Sequence, residues 1–378
     1  MKVKRLHLTN FRNHEDSSIE FADGVNFITG PNAQGKTSIL EGLSYVCLTK
    51  SFLQQPEKSV VRFEADTLCV DASVEKDRGT PHEVKITYER KSGKKYILDG
   101  NEVRRAADVV GMFPVVILHP GNLTLTGGGP SDRRKFLDMI LSQVSKSYLE
   151  ESIEYARALK QRNRVLLDGR LTGRLDLGIL DAWTDALVAH GAQIVERRSS
   201  FVKEFREVFV SAYDWLVKYY ETPDMIYMPS FTTGPDIEDT FFAELQRVSM
   251  VERSRGATIV GPHRDDLEFT LNGVPVRDFA SQGQNKTVLV ALKMAEFQCI
   301  KTKLAETPVV LLDDVMSELD SFRSASTLRS IAGLGQTFIT ATDILNAYAG
   351  SLNDDRQNSL PDAKVHFVKG GNVLYENV

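Results

Sequence analysis

Val25-Asn-Phe-Ile-Thr-Gly30-Pro31-Asn32-Ala33-Gln34-Gly35-Lys36-Thr37-Ser-Ile-Leu40 changes its periodicity halfway along. Residues 25–29 are a β-rich run. From Lys36 the apolar residues Ile39, Leu40, Leu43, Val46 and Cys47 recur at helical spacing. Between them stands Gly, four residues, then Gly-Lys-Thr, the pattern of a phosphate-binding loop between a strand and a helix. Its glycines let backbone N–H groups close around a β-phosphate, and the helix N-terminus adds partial positive charge. Lys36 would bridge β- and γ-oxygens, and Thr37 would offer its hydroxyl to Mg²⁺. A chance glycine-rich turn would need neither the strand before it nor the helix after it. Residues 30–37 are therefore expected to take ATP with Mg²⁺.

Working outward, residues 2–9 and 25–29 read as strands, with 21–24 as turn between them. Residues 66–103 form a meander of short β-segments punctuated by Asp-Arg-Gly-Thr-Pro (77–81), Lys-Ser-Gly-Lys (91–94) and Asp-Gly-Asn (99–101). Val115–Leu118 is a buried strand. Gly127-Gly-Gly-Pro130 breaks the composition, and residues 131–255 are almost wholly helix-like before β-character returns at Thr258-Ile-Val260. The remainder alternates: helix at 284–305, strand at 308–313, helix at 321–333, strand at 336–341. That order implies a parallel sheet. The expected fold class is α/β, an ATPase head with a phosphate-loop parallel sheet plus an antiparallel β-meander, interrupted by an inserted α-helical lobe. Its parts would be 1–128 (head, N-terminal half), 129–261 (lobe) and 262–378 (head, C-terminal half).

Composition narrows the class further. At 378 residues the chain suits more than one domain. It is 42% hydrophobic and 26% charged, and no run approaches the roughly 18 apolar residues of a membrane span. The first residues carry no apolar signal-peptide core. Cys47, Cys69 and Cys299 are odd in number and far apart, and read as thiols of a reducing compartment. A cytoplasmic protein with no membrane partner is expected. The net charge of −5 argues weakly against nucleic acid, because only the footprint must be basic.

The second half of the chemistry lies far downstream. Val309-Val-Leu-Leu-Asp313-Asp314 is an apolar strand ending in two carboxylates. Asp313 would hold the Mg²⁺ shell, and Asp314 would orient the attacking water as general base. Ser317-Glu-Leu-Asp320 follows at once, and the whole resembles the Walker B strand and D-loop of ABC ATPases. Upstream, Ser281-Gln282-Gly283-Gln284-Asn-Lys286 introduces a helix. Ser281 would N-cap it, and Gly283 permits close backbone approach. This segment resembles the ABC signature loop in its DNA-repair form. The resemblance implies that the loop contacts the γ-phosphate on a partner subunit, so that ATP drives homodimerisation.

Further motifs are similar to the RecF family of ABC-type ATPases with SMC-like heads. Gly128-Gly-Pro130-Ser-Asp-Arg133-Arg134-Lys-Phe-Leu-Asp138 resembles the segment that opens its helical lobe. Lys160-Gln-Arg-Asn163 resembles a lobe helix, and Gly261-Pro-His-Arg-Asp-Asp-Leu267 the return to the head. Asn10-Phe-Arg12-Asn13 fits the turn that touches adenosine in related heads. These matches run in family order from residue 10 to 320. They imply recombinational repair at gaps and stalled forks, binding of duplex and single-stranded or gapped DNA, slow DNA-dependent ATP hydrolysis, and RecR as partner. Through RecR the resemblance extends to RecO, RecA loading and SOS induction. The chain departs from the family at Leu53, where arginine is frequent, and at Gly121, where an acid is usual. Arg62 is a nearby substitute for the arginine, or a solvated strand-end charge. No Q-loop glutamine stands at 115–122. Thr340 and Thr342 occupy the region of the switch histidine, and His119 and His263 are read as structural. The rival functions are a transporter ATPase subunit and an SMC-like chromosome tether. The unusual signature, the absent switch histidine and the large insert argue against the first. An insert of about 130 residues is too short for the arms of the second.

For nucleic acid the richest basic stretch is 155–174, where Arg157, Lys160 and Arg164 share one helical face. These three are the expected DNA contacts. Arg133, Arg134 and Lys135 form a second candidate patch.

Overall fold

The computed structural model describes residues 1–217, 221–314, 334–342 and 362–375. The chain forms two compact units, Met1–Asn122 with Lys293–Val378, and Leu123–Leu292.

The first unit contains two six-stranded sheets among the described residues. One is antiparallel and joins β1 (Lys2–Phe11), β2 (His14–Glu20), β4 (Thr67–Glu75), β5 (Pro81–Glu89), β6 (Gly93–Leu98) and β7 (Asn101–Val103) in the order β2-β1-β4-β5-β6-β7. The expected meander is here, and β1 extends it. In β4 buried residues alternate with half-exposed ones, as in a sheet with one covered face. The second sheet holds β3 (Val25–Thr29), β8 (Val115–Leu118), β12 (Val309–Leu312), β13 (Thr337–Ala341), β14 (Ala363–Lys369) and β15 (Asn372–Tyr375). Its order is β15-β14-β3-β13-β12-β8, parallel except for β15. Every residue of β3, β8, β12 and β13 is buried, which is why these strands read as unbroken apolar runs.

Helix α1 (Lys36–Leu48) packs against β1, β4 and β5 of one sheet and β13 of the other. A helix covered on opposite sides must be apolar most of the way round, and Ile39, Leu40, Leu43, Tyr45, Val46 and Cys47 are all buried. They join Leu6 and Leu8 of β1, Val70 of β4, Ile117 of β8, Leu311 of β12 and Phe338 of β13 in one core. The registers Thr29↔Ala341, Leu312↔Ile339 and Leu312↔Leu118 bring the C-terminal ends of β3, β13, β12 and β8 to one edge. Ligands of open α/β sheets bind at such an edge.

The second unit holds α2 (Thr124–Gly127), α3 (Pro130–Val144), α4 (Lys146–Thr172), α5 (Leu177–Val217), β9 (Pro223–Met228), α6 (Ile237–Arg255), β10 (Asp266–Leu271), β11 (Val274–Pro275), α7 (Val276–Phe279) and the first half of α8 (Gln282–Leu304). Ser145 and Asp236 N-cap α4 and α6, and Gly173 and Gly256 end them in the left-handed region. Gly191, midway along α5, lets three helices approach, since a Cβ there would lie 2.6 Å from Phe241 and 3.0 Å from Tyr155. Arg162 is buried and spans the helices, donating to Glu252 on α6 (2.7 Å), Thr184 on α5 (2.9 Å) and Thr258 (2.7 Å).

Several expectations are corrected. The turn at 21–24 is preceded by β2, whose only apolar residue is Ile19, so its alternation is nearly silent. The helix-like stretch conceals β9, which pairs with β10 through Tyr227↔Leu267. Residues 258–260 are irregular chain rather than strand. The inserted unit runs from Leu123 to Leu292 rather than from 129 to 261, because β10 is paired to β9 and Arg133 of α3 grips Asp266. The expected helix at 321–333 lies outside the described residues.

Candidate functional site

The nucleotide loop follows β3, and its conformation explains its composition. Gly30 and Gly35 have φ of 138° and 113°, in the region that favours glycine. A Cβ at Gly30 would lie 2.3 Å from the Val368 carbonyl, and one at Gly35 would lie 2.7 Å from both Asn13 Oδ1 and His14 Nε2. Lys36 Nζ donates to the carbonyls of Gly30 (2.7 Å) and Pro31 (2.8 Å), so its ammonium sits within the loop where a phosphate would compete for it. Burial lowers the Lys36 pKa, against the pull of Asp314 and Asp313.

The acidic strand end reaches the loop. Thr37 Oγ1 donates to Asp313 Oδ1 at 2.8 Å, and Thr340 Oγ1 donates to the same oxygen at 2.8 Å. Burial raises the Asp313 pKa and the adjacent Asp314 adds to it, while the two hydroxyls and Lys36 oppose. A buried carboxylate beside a threonine hydroxyl suits Mg²⁺, which typically takes one or two carboxylates and completes its shell with substrate phosphate and water. Among the described residues no group of three or more His, Cys, Asp or Glu could hold a metal by itself. Thr340 also accepts from the Asp314 backbone N–H (2.8 Å), at a residue with φ of 48°. One hydroxyl on β13 thus fixes both acids.

Arg12 and Asn13 stand on the turn between β1 and β2. Arg12 forms two hydrogen bonds with Glu41 (2.8 and 2.7 Å) and one with the Ser59 carbonyl (2.9 Å). Glu41 is buried and also accepts from Ser51. Both Arg12 and Asn13 line a cavity of about 670 Å³ with Asn32, Ala33, Gly35, Lys36, Thr37, Asp314 and Thr340. Gln34 lies at the loop's outer side, its carbonyl and Oε1 accepting from Gly371 N–H and Gly370 N–H. Sequence reasoning missed Lys58, Phe63 and Arg90 on the cavity wall. Phe63 is 85% exposed, yet Val60-Val61-Arg62-Phe63 reads as ordinary strand sequence. Only an aromatic with no place in the strand alternation hinted at it. Arg62 pairs with Glu15 at 3.0 Å and is not among the lining residues.

Ser281, Gln282, Gly283 and Gln284 belong to the second unit. Ser281 Oγ accepts from Gln284 N–H (3.2 Å), and Gln284 Oε1 accepts from Ser281 N–H (2.8 Å). This reciprocal capping box starts α8. Ser281 and Gln282 are exposed. Asp320 lies outside the described residues. His119 ends β8 against Phe52, accepts from Gly121 N–H (3.2 Å), and is pushed down to about 4 by burial and Lys293. A Cβ at Gly121 would lie 2.6 Å from the His119 ring, which links that departure to the histidine. His263 is held between Tyr155 OH (2.7 Å) and the Thr258 carbonyl (3.2 Å) within the second unit.

On α4, Arg157, Lys160 and Arg164 are exposed, while Arg162 points inward. The second basic patch is corrected. Arg133 is buried in two hydrogen bonds to Asp266 (2.7 and 2.9 Å) and one to the Gly128 carbonyl (2.8 Å). Arg134 donates to the Asp265 carbonyl at 2.6 Å, and its pKa is lowered, chiefly by burial. Arg133 holds the fold with its guanidinium fully engaged, while Arg134 is half-buried and spends one nitrogen on the Asp265 carbonyl. Of that patch Lys135 is exposed, 3.3 Å from Asp132.

A phosphate loop, an acid-ended strand beside it in a parallel sheet, and a Ser-capped helix in an inserted lobe define an ABC-type ATPase head. The model of the RecF/RecN/SMC N-terminal domain matches residues 2–344. The chain belongs to the RecF family. It is 37% identical over 355 residues to the DNA replication and repair protein RecF of Chloroherpeton thalassium, covering 91% of this chain and 95% of that one. The RecF of Bacillus cytotoxicus is 34% identical over 378 residues, 99% of this chain and 98% of the relative. The solved recombination mediator protein RecF-ATPrS of the RecFOR pathway superposes with a TM-score of 0.90 at 27% identity, over 100% of this chain and 98% of that chain. No helix among the described residues is long and apolar enough to cross a membrane.

Proposed function

We propose that this chain is a cytoplasmic, ATP-dependent DNA-binding protein of replication and recombinational repair. The observation that carries the reading is the junction of Lys36, Thr37, Asp313, Asp314 and Thr340 at one sheet edge, opening on a cavity of about 670 Å³. A pocket of that size suits a nucleotide.

The residues divide the work. Lys36 exchanges two carbonyls for phosphate oxygens, and the backbone of residues 30–37 wraps the β-phosphate. Thr37 and Asp313 would hold Mg²⁺, which neutralises phosphate charge. Asp314 orients the attacking water, with its backbone held by Thr340. Arg12 and Asn13 border the adenosine end. Ser281, Gln282, Gly283, Gln284 and Asp320 complete the site from the partner in an ATP-dependent homodimer. Hydrolysis is slow and DNA-dependent. The exposed face of Arg157, Lys160 and Arg164 holds duplex and single-stranded or gapped DNA. RecR, and through it RecO and RecA, are the partners, with SOS induction downstream. The relatives' names and the basic face on α4 support this half of the reading.

The test is light scattering with and without ATP and Mg²⁺, repeated with a DNA duplex, beside ATP turnover in the same samples. The wild type should dimerise only with ATP and turn over faster with duplex. Lys36→Ala, which removes a point charge between two phosphates at a cost of about 2–5 kcal/mol, should do neither. Duplex-independent turnover would favour a transporter-like ATPase, and unchanged ATP binding in Lys36→Ala would remove the nucleotide-loop reading.

A further inference from the structure

The nucleotide loop is gripped from behind by residues that do not line its cavity. The turn between β14 and β15 lies against Gln34. Gly370 N–H donates to Gln34 Oε1 at 2.7 Å, and Gly371 N–H donates to the Gln34 carbonyl at 3.1 Å. A Cβ at Gly371 would lie 2.1 Å from the Asn13 carbonyl, so the turn is seated on the β1–β2 turn as well. From β2, His14 Nε2 reaches the Gly35 carbonyl at 3.1 Å, and its Nδ1 lies 3.0 Å from Ser17 Oγ. Ser17 Oγ donates in turn to the Gly371 carbonyl at 2.8 Å. The chain of contacts Gln34, Gly371, Ser17, His14, Gly35 closes on itself and joins both sheets of the unit to two consecutive peptides of the loop.

His14 and Ser17 are buried, and three oxygens surround the ring: the Gly35 and Gly371 carbonyls and the Ser17 hydroxyl. The Gly35 carbonyl also accepts from Ile39 N–H at 3.3 Å, and His14, with its proton on Nε2, is a second donor to it. Polar groups buried this way are costly unless paired, so the contacts hold one another in place. Gly35 is also the residue whose positive φ shapes the loop immediately before Lys36. Moving its peptide moves the phosphate cradle.

We propose that His14, Ser17 and the Gly370–Gly371 turn are positioning residues for the nucleotide loop: they fix the Gln34 and Gly35 peptides in the phosphate-ready conformation and so set ATP affinity. This rests on the reading of the cavity as an ATP site. Because the ring acts on loop geometry and not on the attacking water, its loss should appear in binding and not in turnover at saturation.

The test compares the full-length wild type with Gly371→Ala, Ser17→Ala, His14→Leu and His14→Gln. Glutamine can place its Nε2 donor at the same distance along the side chain as the imidazole Nε2. Dissociation constants for ATP with Mg²⁺ are measured calorimetrically, saturated turnover by phosphate release, and folding by thermal melts. Gly371→Ala and His14→Leu should bind about tenfold more weakly, with a smaller loss in Ser17→Ala. His14→Gln should return to within about twofold of wild type, and saturated turnover should stay within about twofold throughout. A wild type that binds no ATP overturns the nucleotide reading and the latch with it. A wild type that binds ATP beside folded variants of equal affinity overturns the latch alone. So does a loss confined to turnover, or a His14→Gln variant as weak as His14→Leu.

Discussion

Reversing Arg157, Lys160 and Arg164 to glutamate should remove a measurable share of the salt dependence of DNA binding. The side chains of Arg157 and Arg164 are 67% and 78% exposed, and their nearest acids, Glu154 and Asp168, stand 3.6 and 3.9 Å away. Exposed pairs of this kind contribute only about 0.5 kcal/mol each, so the lobe should stay folded. Seven residues of helix rise about 10 Å, which matches about three phosphates of one strand. Each neutralised phosphate adds about −0.9 to the slope of log affinity against log salt, so this face supplies about −2.7 per protomer. Between 50 and 200 mM salt that slope weakens binding about 40-fold per protomer, and two protomers would double it in logarithmic terms. The assay is fluorescence anisotropy of a labelled duplex, titrated with salt in the presence of a non-hydrolysable ATP analogue. The triple variant should show a slope shallower by about 2.7 units per bound protomer while still dimerising on ATP. Equal slopes and affinities in the two proteins would make this face a solvated helix surface and refute the assignment. Reversing Arg133 is no substitute test, since Arg133→Glu would face Asp266 and unfold the lobe first.

Three further outcomes are expected. Ser281→Arg loses the capping contact to Gln284, at about 1 kcal/mol of stability, yet should remain folded and bind ATP while failing to dimerise; dimers on ATP in light scattering would refute the partner-facing role. Asp314 is one methylene shorter than the glutamate usual in ABC ATPases, and catalytic geometry loses near a hundredfold for about 1 Å, so turnover should be slow and Asp314→Asn should trap an ATP-bound dimer in a phosphate-release assay. His263 is pushed down to about 4 by burial, so the unfolded chain takes up its proton first, and stability is full above about pH 6.5 and lost as pH falls toward 4. His263→Gln cannot titrate and should lose about 3 kcal/mol less over that interval, measured by urea midpoints at both pH values; parallel losses would refute the assignment.

Much of the nucleotide site was legible because its signals are local. A strand, a glycine-rich turn and a helix follow one another within residues 25–48, and the acids end a strand that is apolar throughout. What escaped the sequence depends on distant partners. Arg133 carries the same charge whether it faces solvent or Asp266, and only the fold brings that carboxylate beside it. The lobe boundary was misplaced for the same reason, since β10 owes its membership of the second unit to β9. Strand β2 was hidden by its polar residues, of which His14 and Ser17 are buried for hydrogen bonding rather than for apolar contact. Phe63 resembles a core residue in sequence and is an exposed wall of the cavity in structure.

The Thr340 hydroxyl donates to one acid and accepts from the backbone of the next. Only serine or threonine can do both through a single short side chain in a strand as tightly buried as β13. Valine has a similar size, yet it would leave both the Asp313 carboxylate and the Asp314 backbone N–H without this partner. At position 340 an apolar side chain of the right size is therefore not enough, because the donor and the acceptor of the hydroxyl are both in use. Lineages that drift to valine there would keep a head that folds and lose the alignment of its acids, and the strand's apolar pattern would give no sign of the change.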